Sequence, residues 1–314
     1  PPQTLFTACF GTFAPRRKAV PWKLILVGVD NSPQAAAATA LGTRLARALG
    51  GECIPVHAVR EWWVAFADDD LADHAPELRA GLVDLERQEM AQALTGHVPE
   101  DVIRRMIVRP GRSAVVLRDV ARELEADVIV LGGKHHSALS RWVGGSTALD
   151  AVRSAGLPVL VTAQRADDVV FRRVIAAVDL SEAAPPTAAL ARSVAGALGA
   201  ELVALNVIEP PRLLSGATAP LTEAEHSRRA VRALERKVWP LFGDGGVEKV
   251  ARSGQVVDVI QHEAAQRGAD LVVVGSHGKG WRERLLLGSV TERLLNHLPT
   301  SLLVVPVEAP PGAR

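Results

Sequence analysis

The chain has 314 residues, 48% of them hydrophobic and 23% charged, a balance typical of a globular protein with ordinary cores. Lys plus Arg number 36 and Asp plus Glu number 35, so no net charge draws the chain towards nucleic acid or an anionic membrane. No apolar run approaches the ~18 residues that a membrane span needs. The two cysteines, Cys9 and Cys53, form no disulfide or metal-binding pattern, so we expect a cytoplasmic protein without a metal site.

The first half alternates predicted strands and helices. Lys23–Val29 is an apolar, β-branched run that indicates a buried strand. Ser32 and Pro33 then form a helix start, and Gly50 supplies the stop. Along the chain, the patterns predict strands at 23–29, 53–59, 102–108, 127–131 and 159–162, and helices at 34–49, 76–94, 113–124 and 146–154.

The second half repeats the first. Asp179 follows an apolar run as Asp30 does, 149 residues earlier, and both runs lead into an Ala-rich helix. Further along, ADVIVLGG aligns with ADLVVVGS at an offset of 143. A repeat of this length indicates two complete domains. We therefore predict an N-terminal arm at 1–20, a first domain at 21–164, a linker at 165–171 and a second domain at 172–309.

Strands separated by helices predict an α/β fold with two tandem, doubly wound domains. Each domain should contain a five-stranded parallel sheet with helices on both faces. In such sheets ligands bind beyond the carboxyl ends of the strands, where the strand order reverses. The residues after the first and fourth strands of each half are therefore the candidates for a site.

A spaced glycine motif follows the fourth strand of the second half. Gly275 and Gly278 are separated by two residues, and nine residues later come Gly288 and Ser289. We expect Gly275 and Gly278 to allow sharp turns with positive φ and close approach to a phosphate. The helix that begins near Ser289 offers free N–H groups to an anion, and the Ser289 hydroxyl can donate to the ligand or cap the helix.

This motif resembles the nucleotide-binding signature of ATP-binding universal stress proteins, and the resemblance extends over about 22–308. It implies an adenine nucleotide alpha hydrolase-like fold and bound ATP, with or without magnesium. Carried over by position, Asp179 meets the ribose or the adenine, and the remaining residues line the base or enclose the phosphates. The implied nucleotide-binding residues are Ala177, Val178, Asp179, Val207, Val274, Gly275, His277, Gly278, Gly288, Ser289, Val290 and Thr291.

The first half departs from this signature at one position. His135 stands where the second glycine belongs, so a side chain either blocks the phosphate or replaces backbone donors with an imidazole. Whether this half binds nucleotide is therefore left open. Its corresponding candidates are Asp30, Ala58, Leu131, Gly132, His135, Gly145, Ser146 and Thr147.

The function expected from the resemblance is nucleotide-dependent regulation in stress response or signalling. The alternatives are a scaffold that binds a protein or an apolar ligand without nucleotide, and a slow ATPase. No nucleophile, base and orienting acid stand together in a recognisable motif, so we name no catalytic residue. The resemblance also implies pairing through the last strands of the two halves, either within the chain as a pseudo-dimer or in a homodimer.

Overall fold

The computed structural model describes residues 22–59, 75–133, 147–163, 171–210, 223–243, 245–278, 287–298 and 300–307. The N-terminal arm, residues 165–170 of the predicted linker and the loop positions His135, Gly145 and Ser146 lie outside these ranges. The predicted domain boundaries fall in or beside undescribed residues and stay predictions.

The described residues of the first half form five strands and five helices. The strands are β1 (Leu24–Val29), β2 (Glu52–Val59), β3 (Ile107–Pro110), β4 (Val128–Gly132) and β5 (Val159–Thr162). The helices are α1 (Pro33–Leu49), α2 (Ala75–Leu94), α3 (Glu100–Arg104), α4 (Ser113–Glu123) and α5 (Thr147–Ser154). The parallel strand order β3-β2-β1-β4-β5 reverses between β1 and β4, as a doubly wound fold requires.

The second half repeats this order. Its strands are β6 (Arg173–Ala177), β7 (Glu201–Ile208), β8 (Val247–Ser253), β9 (Leu271–Gly275) and β10 (Ser301–Val305). Its helices are α6 (Ala184–Leu198), α7 (Glu223–Lys237), α8 (Val256–Arg267) and α9 (Ser289–Asn296), with a 3₁₀ turn at Trp239–Phe242. Strand order reverses between β6 and β9, so the corresponding crevice of this half lies at their carboxyl ends.

The start of α1 follows the sequence signals closely. Ser32 is in an extended conformation, and its Oγ accepts a hydrogen bond from the Ala35 amide. Pro33 takes the first helical position, and Gly50 ends the helix at φ 65°. The predicted cap and stop of this helix are therefore confirmed.

The predicted third strand at 102–108 is wrong in its first half. Residues 100–104 form the short helix α3, and the strand begins only at Ile107. Pro99 precedes two acids at the start of this helix, an arrangement that favours a helical first turn over a strand. The apolar residues Val102 and Ile103 therefore pack from a helix.

The two halves share one ten-stranded sheet. β5 and β10 pair antiparallel at its centre, with Leu303 opposite Leu160, although all other neighbouring strands run parallel. The last strands are thus paired within the chain. Buried residues form one cluster on each face of the sheet, and each cluster contains side chains from both halves. The two five-stranded sheets expected from the sequence are halves of one sheet.

Candidate functional site

Asp179 lies just beyond the carboxyl end of β6. Its Oδ1 accepts hydrogen bonds from the Ser181 amide, at 2.9 Å, and from the Ser181 hydroxyl. The same hydroxyl accepts from the Ala183 amide at 3.2 Å, next to the start of α6. These bonds hold the partly exposed carboxylate at the mouth of the crevice between β6 and β9.

The first part of the glycine motif, Gly275 to Gly278 (the first arm), is held by hydrogen bonds where it leaves β9, and the segment from Gly288 is the second arm. Ser276 donates its amide to the Val305 carbonyl at 2.8 Å, and its Oγ accepts from the Val307 amide at 3.1 Å. The same Oγ lies 2.9 Å from Nδ1 of His277. The end of β10 therefore anchors the segment that carries His277 and Gly278.

The second arm of the motif, from Gly288 to the start of α9, lies against the end of β9. Gly288 donates its amide to the Ser276 carbonyl at 2.9 Å, and the buried Thr291 hydroxyl donates to the Gly275 carbonyl at 2.8 Å. The start of α9 is thus bonded directly to the end of β9. Gly288 holds the N-cap position and Ser289 is the first helical residue, so of the two roles open to the Ser289 hydroxyl, capping of the helix is excluded.

The glycines of the motif lie where other atoms approach closely, and none of them has a positive φ. Neither Gly275, Gly278 nor Gly288 is among the positive-φ glycines, so that expectation is wrong. A Cβ on Gly275 would lie 2.7 Å from the Ala183 Cβ, and one on Gly278 would lie 3.0 Å from Oδ2 of Asp179. A Cβ on Gly288 would lie 3.2 Å from the Ser276 carbonyl oxygen. The backbone of Gly278 therefore lies against the Asp179 side chain, and the backbone of Gly288 lies against that of Ser276.

Most predicted residues of the second-half site converge on this edge. Ala177 ends β6, Val274 and Gly275 end β9, and Val207 lies near the end of β7. Val178 continues β6 by donating its amide to the Leu205 carbonyl at 2.9 Å. The nine residues between Gly278 and Gly288 are described only at Leu287, so the cations Lys279, Arg282 and Arg284 stay outside the described site.

The first half has the same frame in its described residues. Asp30 follows β1 and accepts a hydrogen bond from the Ser32 hydroxyl, and Gly132 ends β4. A Cβ on Gly132 would lie 2.7 Å from the Gln34 carbonyl oxygen, a close approach like that of Gly275. Of the other candidates, Ala58 lies on β2, Leu131 is buried on β4 and Thr147 begins α5.

Sequence reasoning missed a polar residue under each crevice. Asn206 on β7 is buried and donates through Nδ2 to the Val178 carbonyl at 2.7 Å. His57 takes the equivalent position on β2, with Nδ1 2.8 Å from the Val29 carbonyl and Nε2 3.2 Å from the Glu86 carboxylate. The 149-residue offset relates these two residues, so comparing the copies at polar strand positions was the signal that could have found them.

Glutamates of α2 close over the first-half crevice. Glu86 reaches His57, and Glu89 accepts from the Asn31 amide nitrogen at 2.7 Å. In the second half, Leu180 and Asn206 hold the positions of Asn31 and His57. The two crevices therefore differ in the described polar contacts as well as at His135.

A model of the universal stress protein family matches the chain twice, at residues 21–163 and 171–306. The chain belongs to the universal stress protein family. The resemblance drawn from the glycine motif is therefore confirmed at the level of the family and its tandem arrangement.

Two mycobacterial universal stress proteins show how far this similarity extends. One from Mycobacterium tuberculosis is 31% identical over 191 residues, which cover 57% of this chain and 62% of the relative. This alignment therefore spans about three fifths of that relative's length. Another from Mycolicibacterium smegmatis is 27% identical over 298 residues, or 90% of this chain and 96% of the relative.

Solved structures support the fold over most of the chain. A universal stress protein from Archaeoglobus fulgidus superposes with a TM-score of 0.61 at 17% identity, covering 90% of this chain and 98% of that one. A second, from Pseudomonas aeruginosa, gives a TM-score of 0.57 at 18% identity and covers 91% of this chain and 93% of that one. At these identities the likeness establishes the α/β architecture alone.

The described residues contain no helix that is both long and apolar enough to cross a bilayer. Within the same residues, no three or more His, Cys, Asp or Glu side chains are grouped to hold a metal ion.

Proposed function

We propose that the second half of this universal stress protein binds ATP at the carboxyl ends of β6 and β9. The protein then acts in stress response or signalling as a regulator whose activity depends on whether the nucleotide is bound. The observation that carries the proposal is that Gly278 lies against the Asp179 carboxylate, while Gly288, at the start of α9, is bonded to Ser276 beside it. A Cβ on Gly278 would lie 3.0 Å from Oδ2 of that carboxylate, so a side chain there would displace it.

The chemistry of this edge suits the two ends of a nucleotide. The Asp179 carboxylate is an acceptor for ribose hydroxyls, and a single acid at a strand end commonly has this role. The first turn of α9 has backbone N–H groups that no helical carbonyl can reach, and its dipole favours negative charge. The bond from Gly288 to Ser276 places this helix start beside the end of β9, where the phosphates would lie.

The first half is proposed as the weaker site or as no site. Asp30 and Gly132 retain the frame, but His135 stands where the second half has Gly278, whose added Cβ would lie 3.0 Å from the Asp179 carboxylate. In addition, the contacts of Glu86 and Glu89 close α2 over this crevice. We therefore expect one strongly bound ATP for each chain.

Calorimetric titration of nucleotide-stripped protein with ATP and magnesium tests the proposal. We expect a stoichiometry near one, and loss of the heat in a Gly278→His variant, which copies the first half's substitution. A His135→Ala variant is the matched control, because it changes the equivalent position of the other half without adding bulk and should leave the affinity of the second half unchanged. A stoichiometry near two would show that His135 is tolerated.

Substitution of Asp179 separates a nucleotide-binding protein from a scaffold. Asp179→Ala should weaken ATP by about tenfold or more, since a charge-assisted hydrogen bond contributes roughly 1.5–3 kcal/mol. Asp30→Ala is the control in the other half. If stripped wild-type protein gives no heat with ATP and the unstripped protein carries no nucleotide, the nucleotide proposal is rejected.

A further inference from the structure

The backbone at the junction of the two halves has an approximate twofold symmetry. β5 and β10 pair about Leu160 and Leu303, with Val161 opposite Leu302 and Val159 opposite Val304. In the alignment of the two halves at an offset of 143 residues, Leu160 is equivalent to Leu303 and residues 147–163 are equivalent to 290–306. Each position on one side of the junction therefore has a counterpart on the other, and the side chains at these counterparts can be compared.

The first difference is a matter of volume. Leu298 of the second half lies over Gly133 of the first, and a Cβ on Gly133 would lie 2.5 Å from the Leu298 Cδ1 and 2.5 Å from the Thr162 carbonyl oxygen. Only glycine fits this position. The symmetry-related pair is Ala155 and Ser276, in which the large residue is replaced by a small one and the glycine by a serine.

The second difference is a charge pair. Arg153 of α5 lies 3.7 Å from the Glu292 carboxylate of α9, so an ion pair joins the two halves. The offset places Asn296 at the position of Arg153 and Leu149 at that of Glu292. The ion pair between Arg153 and Glu292 therefore has no charged counterpart at the symmetry-related positions, Asn296 and Leu149.

The third difference is a hydrogen bond. The Ala163 amide donates to the Ser301 hydroxyl at 3.3 Å. The offset replaces Ala163 by Pro306 and Ser301 by Pro158, and proline has no amide hydrogen to donate. The Ala163 amide thus has an acceptor in Ser301, and the symmetry-related positions are two prolines, Pro306 and Pro158, between which no such bond is needed.

Pairing of two identical halves would disrupt all three contacts. Two second halves would place Leu298 against Ser276, Glu292 against uncharged Asn296 and the Ser301 hydroxyl against Pro306. Two first halves would place Gly133 against Ala155, which leaves a gap, Arg153 against Leu149, and the Ala163 amide against Pro158. Gaps, buried donors without acceptors and unpaired charges all disfavour a contact.

We propose that these three mismatched pairs form a recognition code that makes the last-strand surface of each half accept the other half and reject its own copy. The occupant of each half's surface is therefore the other half of the chain, and copies do not associate by joining like halves. This inference concerns partner selection at the junction and is independent of nucleotide binding.

Cysteine reporters at the symmetry axis measure this choice in the full-length chain. In a Cys9→Ser, Cys53→Ala background, Leu160→Cys with Leu303→Cys should give a disulfide within one chain, because directly paired antiparallel residues have Cα atoms about 4.5–5.5 Å apart. Leu303→Cys alone should give no covalent dimer on oxidation at high chain concentration. Abundant covalent dimer from this single variant would overturn the proposal.

The code itself is tested by making the second half accept itself. Leu298→Ala, Glu292→Leu and Ser301→Pro give this half the residues that the first half has at the equivalent positions. In the Leu303→Cys chain, these changes should raise the yield of covalent dimer about tenfold or more. A change of this size corresponds to the removal of two or three modestly unfavourable contacts between like halves. High concentration is needed because covalent linkage favours pairing within the chain.

The same three substitutions in the Leu160→Cys chain are the matched control. They leave the first half's own surface unchanged, so any rise in the covalent dimer of the Leu160→Cys chain, caused only by weaker pairing within the chain, should be much smaller than that of the Leu303→Cys chain. Leu298→Ala alone, the mildest change, should raise the covalent dimer of the Leu303→Cys chain in the same direction, and circular dichroism checks that each variant is folded. Equal dimer yields with and without these substitutions would show that the three pairs do not select the partner.

Discussion

At the scale of single residues, the candidate site depends on how closely its backbone is packed. Gly278→Ala adds one methyl group, whose carbon would lie 3.0 Å from Oδ2 of Asp179. At that distance either the carboxylate or the motif must shift by a few tenths of an ångström, and both are proposed to contact ATP. We expect ATP affinity to fall about tenfold, a change of roughly 1.4 kcal/mol, when measured by calorimetric titration.

Gly196→Ala is the control for this change. Gly196 lies within α6, where an added Cβ would have no heavy atom within 4 Å. Alanine in an open helical position should be neutral or slightly stabilising and should leave ATP affinity unchanged. Equal affinity of the two alanine variants would contradict the importance of the approach between Gly278 and Asp179.

Burial controls the chemistry of Cys53. Desolvation raises the pKa of its thiol from 9.0 to about 11, against the opposing effects of a hydrogen bond with Thr43 and the charge of Arg105. The folded state therefore keeps the proton, and the stability that this group contributes declines as the pH rises from about 9 towards 11. In a Cys9→Ser variant at pH 8, thiol–disulfide exchange with a small disulfide reagent should be at least about a hundredfold slower in native protein than in denaturant.

Titration with an absorbing disulfide reagent provides the measurement for Cys53. The native trace should be slow and the trace in denaturant fast, with one thiol in each. Rapid reaction of the native protein would mean that the thiol is accessible through local opening, and the burial argument would fail.

The sequence predicted the positions of the site residues better than their physical roles. Asp179, Gly275, Gly278 and Gly288 converge as the strand pattern and motif spacing indicate, since carboxyl ends of neighbouring parallel strands meet at one edge. Their roles depend on contacts between segments far apart in the chain, such as Gly278 with Asp179. Such contacts have no local signature, so close approach was mistaken for positive φ.

At the scale of elements, a charged network joins α8 to β8. Buried Glu263 accepts from Arg252 Nε at 2.6 Å and from Arg267 Nε at 2.8 Å, and Arg267 also forms two bonds with Glu248. Burial alone would raise the pKa of Glu263, but hydrogen bonds from Arg267 and Arg252 outweigh it and hold the pKa below its usual value. Glu263→Gln should lower the free energy of unfolding by about 2–3 kcal/mol at pH 7.

The pH dependence of this effect has a definite sign. Because the folded pKa of Glu263 is lowered, its stabilisation is present above the unfolded pKa of about 4.3 and is lost as the pH falls through the folded pKa. The difference between wild type and Glu263→Gln should therefore shrink below about pH 4 in denaturant unfolding. Glu123→Gln, which removes an exposed partner of Arg109, should have a much smaller effect, and a constant difference at all pH values would contradict the assignment.

Element prediction succeeded where local signals agree and failed where they compete. The cap at Ser32 and the stop at Gly50 bound α1 as expected, because each acts within a few residues. Residues 102–108 have an apolar pattern that suits a strand, but Pro99 and its following acids start a helix there. The apolar periodicity of so short a segment does not distinguish these outcomes.

At the scale of the whole molecule, the tandem repeat forms one structure. The sheet runs unbroken through β5 and β10, and each face has a hydrophobic core that contains residues of both halves. Leu160 and Leu303 are fully buried in the same core, at the point where the halves meet. Pairing of the last strands was expected from family resemblance, whereas the continuity of the cores depends on side chains that face each other only in three dimensions.

This continuity predicts a single cooperative unfolding transition for the wild-type chain, with equal calorimetric and van't Hoff enthalpies. Leu303→Ala should cost about 2–5 kcal/mol and, because it also weakens the coupling of the halves, should make the van't Hoff enthalpy smaller than the calorimetric one. Leu205→Ala removes a side chain of similar burial from within the second half, and should lower the melting temperature while the two enthalpies stay equal. Differential scanning calorimetry distinguishes these cases. Two separate transitions in the wild type would show that the halves unfold independently, and that the shared core contributes little to cooperativity.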